Sequence, residues 1–253
     1  MASADQLDAE RVSGPLSGPD RHQDRRAVVE GGSSQLPSSL WKFLHSDDVR
    51  PLSLRAIWPK HNKPSRPVQN VTVTARDYPT GADRRQAFEA KASKLNAEGY
   101  NVYTVMNPIR EDFTDGGVRD ADIAFRDLLL VDIDRAVTSD CPASDEEIEA
   151  ASALADQVAA DPALEGLELR ARVMSGNGVH LYYSLEQTAN DEASKTLARE
   201  LLQLLARKFD NDEVKIDQSV FNASRITKVP GTVARKGAVA EGRPYRVAQV
   251  IWP

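Results

Sequence analysis

The sequence predicts an α+β fold, a mixed α/β arrangement in which strands and helices do not alternate strictly. Three observations predict it. The segment "RDLLLVDID" is a nearly continuous apolar run, as expected of a strand covered on both faces. The stretch "LELRARVMSGNGVHLYYSLE" reads as two extended segments joined by a glycine-rich turn. Two longer stretches, from Ser144 and from Ala193, place apolar residues at helical spacing. A chain of 253 residues, 41% hydrophobic and 28% charged, is long enough to bury a core without disulfides.

Taken in order, residues 1–37 are rich in Ser, Gly, Pro, Asp and Arg without a sustained apolar period, and read as a disordered tail. Residues 38–253 read as one domain. "SSLWKFLH" is a short helix with Leu40, Trp41, Phe43 and Leu44 as its apolar contacts. "LSLRAIWP" and "QNVTVTARDY" alternate like strands. Residues 83–98 read as a helix with Phe88, Ala92 and Leu95 on one face, and "YNVYTVMNP" as a strand stopped by Asn107-Pro108. Ser144 and Glu147 have the spacing of a capping box, with Ile148, Ala151, Ala155 and Val158 following on one helical face. After the hairpin, a second helix is predicted, with Ala193, Leu197, Leu201, Leu204, Leu205 and Phe209 at helical spacing. "EVKID", "SRITKVPGT" and "YRVAQVIW" are short extended pieces, with Pro230-Gly231 suited to a type II turn.

The single cysteine, Cys141, allows no disulfide framework or multi-cysteine metal site within the chain, and a reducing cytoplasm is the expected setting. No apolar run is long enough to span a membrane, so no membrane partner is expected. Net charge is −6, which argues against a generic nucleic-acid binder. The charge is uneven, however: residues 222–253 hold Arg225, Lys228, Arg235, Lys236, Arg243 and Arg246 against one acid, Glu241. Such an end can attract a polyanion locally.

Three segments carry candidate chemistry. In "LLLVDIDR", strand alternation puts Asp132 and Asp134 on one face, about 6–7 Å apart at a rise of roughly 3.3 Å per residue. Two partly desolvated carboxylates repel, and a divalent cation relieves both costs; hard oxygen donors suit Mg²⁺ or Mn²⁺. The alternative is a strand end meeting water. In "MSGNGVHLYY", a two-residue turn at Asn177-Gly178 would pair Ser175 with His180 on one face, and Gly176 and Gly178 would let backbone N–H groups approach a phosphate. A longer turn would shift this pairing, and an ordinary hairpin is the competing reading. In "KIDQSVFNASRITKVPGTVARKG", Asp217 ends a strand as a possible third carboxylate, with Arg225 and Lys228 able to reach an anion. A solvated basic loop is the alternative there. Together the three fit a nucleoside triphosphate site, where a metal and cationic clamps neutralise charge.

The order "LLLVDID", "MSGNGVHLYY", "KID…NASRITKVPGT" resembles the archaeo-eukaryotic primase superfamily, and most of all the primase-polymerases of phages, plasmids and other mobile elements. "VYTVMNP" and "LWKFLH…LSLRAIW" are similar to that family's N-terminal module. The likeness covers roughly residues 38–250. It implies an RRM-like catalytic sheet flanked by helices, beside a smaller N-terminal α/β module. It implies that Asp132, Asp134 and Asp217 hold two divalent ions, and that Ser175 and His180 contact the incoming triphosphate, with Gly176 and Gly178 in the turn. Arg225 and Lys228 are further nucleotide-binding candidates, and Arg235, Lys236 and Arg243 DNA-binding candidates. The implied activity is template-dependent nucleotidyl transfer on a DNA template and primer. The sequence stops just after the core, with no room for a helicase domain, so template opening is expected of the tail, of a separate helicase or replication initiator, or of a longer parent protein. Two other classes stand beside this one: a non-catalytic replication initiator of the same fold, and an Asp-x-Asp metal-dependent glycosyltransferase. The acidic triad argues against the first; the second has no need for "SGNGVH" or the basic end.

Overall fold

A computed structural model describes residues 36–44, 49–137 and 139–251. The expected tail lies outside these residues except for Leu36 and Pro37, and Leu36 is already buried in the core. The described residues belong to one unit, Ser34–Pro253.

The helices are α1 (Leu40–Phe43), α2 (Gly81–Ala97), α3 (Asp145–Ala159) and α4 (Glu192–Phe209). The strands are β1 (Leu52–Ile57), β2 (Gln69–Val73), β3 (Asn101–Val105), β4 (Arg126–Arg135), β5 (Leu169–Met174), β6 (Gly178–Thr188), β7 (Val214–Ile216), β8 (Ile226–Lys228), β9 (Val233–Ala234), β10 (Arg246–Val247) and β11 (Gln249–Val250). They form an antiparallel four-stranded sheet, β2-β1-β3-β8, a five-stranded one, β11-β5-β6-β4-β7, and the ribbon β10-β9. The fold is therefore α+β. The larger sheet with its helices and the smaller N-terminal sheet are the two parts that the resemblance implies. The smaller sheet takes its last strand, β8, from the far end of the chain, which ties the two together.

Local chemistry explains the elements. Thr80, Ser144 and Asp191 cap α2, α3 and α4 through side-chain oxygens that accept N–H groups of the first turn, and Ser144 with Glu147 makes the full capping box. β4 lies between β6 and β7, and Leu128 to Val131 are all buried. Leu129, Val131 and Ile133 alternate with Leu128 and Leu130, so both faces are covered. α2 packs on β1 and β3 through Phe88, Ala92 and Leu95, and α3 packs on β4 and β6. Pro230-Gly231 does form the turn, with Gly231 at φ +86° and Thr232 N–H bonded to the Val229 carbonyl.

The structure selects one face of α4 and corrects one expectation. α4 buries Ala198, Leu202, Leu205 and Ala206, while Leu197 is 66% and Leu204 43% exposed. The helix carries two apolar rows at helical spacing, and the row containing two alanines allows the closer approach to β7 and α3. "YRVAQVIW" is not one strand: buried Ala248 separates β10, paired with β9, from β11, paired with β5. Among the described residues no helix is long and apolar enough to cross a membrane.

Candidate active site

The site forms where β7, β4, β6 and β5 lie side by side. Asp132 is opposite His180 on β6, and His180 is opposite Val173 on β5. Two residues along, Lys215, Asp134 and Gly178 form the next row on the same face. Directly opposed residues share a face, so Asp132, Asp134 and His180 emerge together. Gly178 is required there: a Cβ at this position would sit 2.2 Å from the Ile133 carbonyl oxygen and 2.5 Å from Asp134 Oδ1. Only a residue without a side chain lets β6 meet β4 this closely.

The turn is one residue earlier than expected. Ser175 N–H bonds to the Gly178 carbonyl at 2.9 Å, so Gly176 and Asn177 occupy the tip. Gly176 adopts φ +102°, and a Cβ on it would meet Ala234 Cβ at 2.4 Å. His180 therefore pairs with Val173, not with Ser175. Moving a two-residue turn by one position shifts the pairing by two, which preserves the face. Ser175 and His180 consequently still share a wall, as diagonal neighbours. Gly176 N–H meets Met174 Sδ at 3.0 Å, so this glycine contributes conformation and space.

His180 is buried and engaged at both ring nitrogens. Nε2 lies 3.3 Å from Asp132 Oδ1, and Nδ1 lies 3.0 Å from Tyr182 Oη and 3.2 Å from Thr227 Oγ1. Thr227 comes from β8 of the smaller sheet, so this network joins the two sheets. Burial opposes protonation of His180, but the neighbouring Asp132 carboxylate outweighs it and raises the imidazole. For Asp132, burial acts upward, but His180, Arg225 and Lys236 together act downward and hold this carboxyl below its ordinary range. Asp134 goes the other way: burial, then repulsion from Asp132, push it up to about 6, with Lys236 only partly compensating. Lys236 Nζ lies 3.9 Å from Asp134 Oδ2.

A cavity of about 720 Å³ opens in front of these residues. Asp132, Asp134, Ser175 and His180 form one wall, and Lys228, Arg235 and Lys236 bring cations to it. Lys228 is buried, donates to the Val233 carbonyl at 3.0 Å, and is driven well down by burial and by Arg235. Tyr103 was not a sequence candidate. It lines the cavity opposite Lys228, and burial together with Asp132 and Asp134 raises its phenol to about 12. Alternation in "YNVYTVMNP" placed it on the face away from Val102 and Thr104, but nothing in the sequence marked that face as the site.

The remaining candidates lie elsewhere. Asp217 N–H bonds to the Asp132 carbonyl at 2.8 Å, which continues the β4–β7 register and puts Asp217 opposite Asp132. Its carboxylate, however, accepts from Ser219 N–H and lines a neighbouring cavity shared with Asp134 and Lys236. Arg225 donates to the Ser219 carbonyl and lines a separate groove. Arg243 is bound to Glu147 by two hydrogen bonds, at 2.7 and 2.8 Å, and to the Pro142 carbonyl.

Two solved structures are similar to this chain. The AEP domain of the cyanophage S-2L primase-polymerase (PrimPol) is 18% identical, with a TM-score of 0.47 over 81% of this chain and 82% of that one. The polymerase domain of Mycobacterium tuberculosis ligase D, solved in complex with DNA, is 16% identical, with a TM-score of 0.44 over 78% of this chain and 74% of that one. No protein-family model and no curated protein matches the chain.

The donor set fits a hard divalent cation. Asp132 Oδ1 is buried without a hydrogen-bond donor of good geometry, and the second carboxylate beside it is destabilised as an anion. Among the described residues no group of three or more His, Cys, Asp or Glu is gathered tightly enough to hold an ion by itself. A cation held by Asp132 and Asp134 would therefore take its remaining ligands from substrate or water.

Proposed function

We propose that this chain catalyses template-dependent nucleotidyl transfer, as a primase-polymerase that makes or extends primers in the replication of a phage, plasmid or other mobile element. The observation that carries the reading is the pair Asp132 and Asp134 on one strand face, with His180 directly across from Asp132 and a cation-bearing cavity in front. A site that holds both carboxylates and cations without letting them cancel is suited to a metal-bound polyphosphate.

Asp132 and Asp134 would hold Mg²⁺ or Mn²⁺, with Asp217 joining once its carboxylate leaves Ser219. Bound there, the cation supplies Lewis-acid polarisation of the phosphoryl group undergoing attack. In the reaction the primer hydroxyl gives up its proton to water as its oxygen bonds to the α-phosphorus, the α–β bridging bond breaks, and pyrophosphate leaves. Ser175 Oγ, which donates to the Gly178 carbonyl at 3.2 Å, and His180 Nε2, which faces Asp132 Oδ1, would turn to triphosphate oxygens once a cation engages Asp132, and Gly176 and Gly178 shape the turn that presents them. Arg235 and Lys236 offset the phosphate charge. The bond from Nδ1 to Tyr182 and Thr227 fixes the ring so that Nε2 faces the wall. DNA template, primer and nucleoside triphosphates are the substrates, and a separate helicase or initiator would open the template.

Incubation with labelled nucleoside triphosphates, primed DNA and either Mn²⁺ or a chelator tests the reading. Metal-dependent extension of the primer is the expected result. Sugar transfer from a nucleotide sugar, or DNA binding without extension under any metal, would replace it with one of the two alternatives.

A further inference from the structure

We propose that the β1–β2 hairpin grips the phosphodiester backbone of the single-stranded template as it enters the cavity. This rests on the nucleotidyl-transfer reading. Between Arg50 and Arg76 the sequence has six Lys or Arg residues (Arg50, Arg55, Lys60, Lys63, Arg66, Arg76) and His61, with no acid, in a chain of net charge −6. Lys60, Lys63 and Arg66, in the loop between β1 and β2, are exposed and form no ion pair among the described residues.

The cations of the C-terminal end are differently placed. Arg243 is held by Glu147, Arg246 by Asp145 and the Ala143 carbonyl, Arg225 by the Ser219 carbonyl and Lys228 by the Val233 carbonyl. That basic end is largely consumed within the fold. Arg50 is paired with Glu111 at 3.6 Å, whereas Lys60, Lys63 and Arg66 of the hairpin have no acidic partner among the described residues.

The loop is held in place. Pro59, Pro64 and Pro67 restrict its backbone. Trp58 Nε1–H bonds to the Asn62 carbonyl at 3.3 Å, and the Arg66 guanidinium stacks 4.3 Å from the Trp58 ring centre. His61 lies 2.8 Å from Tyr245 Oη, which in turn donates to the Gly237 carbonyl. Cations displayed on an ordered loop lose less freedom on binding a strand.

The path leads to the site. Lys60 and His61 line the main cavity. Across the smaller sheet, Asn70, Arg55, Tyr103 and Lys228 form one cross-strand row from the hairpin to the cavity. Beside it runs a groove of about 250 Å³ that Arg55, Asn70 and Arg225 line. Exposed cations that lead to a cavity already lined by Arg235 and Lys236 are the elements of a single-strand track, where phosphates meet charge.

The test is the salt dependence of binding to a fluorescent oligothymidylate, without nucleotide and with a chelator. It compares the wild type, the triple variant Lys60→Ala/Lys63→Ala/Arg66→Ala, and the double variant Arg243→Gln/Arg246→Gln. Each phosphate contact on a single strand contributes about 0.7 to the slope of log K against log salt, so the triple variant should lower it by about 2. The double variant should leave it unchanged. Lys63→Glu, at one exposed position, should weaken binding in the same direction and serves if the triple variant does not fold. An unchanged slope in the triple variant, or an equal loss in the double, overturns the proposal. So does equal binding of a duplex, or binding of phosphatidylserine vesicles in place of the oligonucleotide. Wild type that binds through the hairpin but never extends a primer keeps this proposal and removes the catalytic one. Extension with an unchanged slope does the reverse.

Discussion

Replacing Asp134 by Asn should make the protein more stable at pH 8 while removing its metal response. Burial and Asp132 raise the Asp134 carboxyl from its ordinary value to about 6. A carboxyl whose folded value lies above its unfolded one favours the fold when protonated. That advantage is complete below about pH 4 and is lost as pH rises through about 6. In a fully buried group the shift would correspond to about 3 kcal/mol. The Asp134 side chain is 36% exposed, so screening reduces this to about 1 kcal/mol. Asn keeps the shape, cannot ionise and breaks no hydrogen bond made by the carboxylate among the described residues. Thermal melts in chelator should therefore place Asp134→Asn about 2–4 °C above the wild type at pH 8, with the difference vanishing near pH 4. Added Mn²⁺ should raise the wild-type Tm and leave the variant where it was. A variant no more stable than the wild type at pH 8, or equally stabilised at both pH values, would refute the strained-carboxylate account.

His180→Ala should raise the nucleotide KM about tenfold to a hundredfold, because one hydrogen bond to a charged phosphate contributes on the order of 1.5–3 kcal/mol; unchanged KM and kcat would make the residue purely structural. Ser175→Ala should act in the same direction more mildly, and the double variant should fall short of the sum because both side chains meet one ligand. Gly178→Ala forces a Cβ to 2.2 Å from the Ile133 carbonyl oxygen, and should cost about 1–3 kcal/mol or more in a denaturant titration as β6 moves from β4. A wild-type midpoint in that variant would show that the close approach is not needed.

Much of the fold was legible because local chemistry and tertiary packing agree. The apolar run of β4 announces burial on both faces, and Ser144 with Glu147 announces the start of α3. The carboxylate pair was legible for the same reason: alternation alone fixes which strand face Asp132 and Asp134 share. The turn tip was not. Asn-Gly is the stronger local turn signal, but Gly178 is taken by the approach of β4, so Gly176-Asn177 must turn instead. The face of α4 was illegible because two apolar rows compete, and only the partners β7 and α3 choose between them. Two cations of the basic C-terminal end, Arg243 and Arg246, are paired within the fold. Charge is visible in sequence, but its neutralisation by Glu147 and Asp145, about a hundred residues away, is not. The acid-free stretch from Arg50 to Arg76 carried a signal that needed no structure, only a count of acids beside the count of bases.

Single-nucleotide extension of a primed template whose templating base is varied tests the central claim most directly. Four templates, each offered all four nucleotides separately with Mn²⁺, are compared for the wild type, Asp132→Ala and Asp134→Ala. The account predicts that the wild type adds the nucleotide complementary to each templating base and that both variants add none, while their far-UV circular dichroism stays that of the folded protein. Extension by either variant at the wild-type rate, or addition that ignores the templating base, would contradict it.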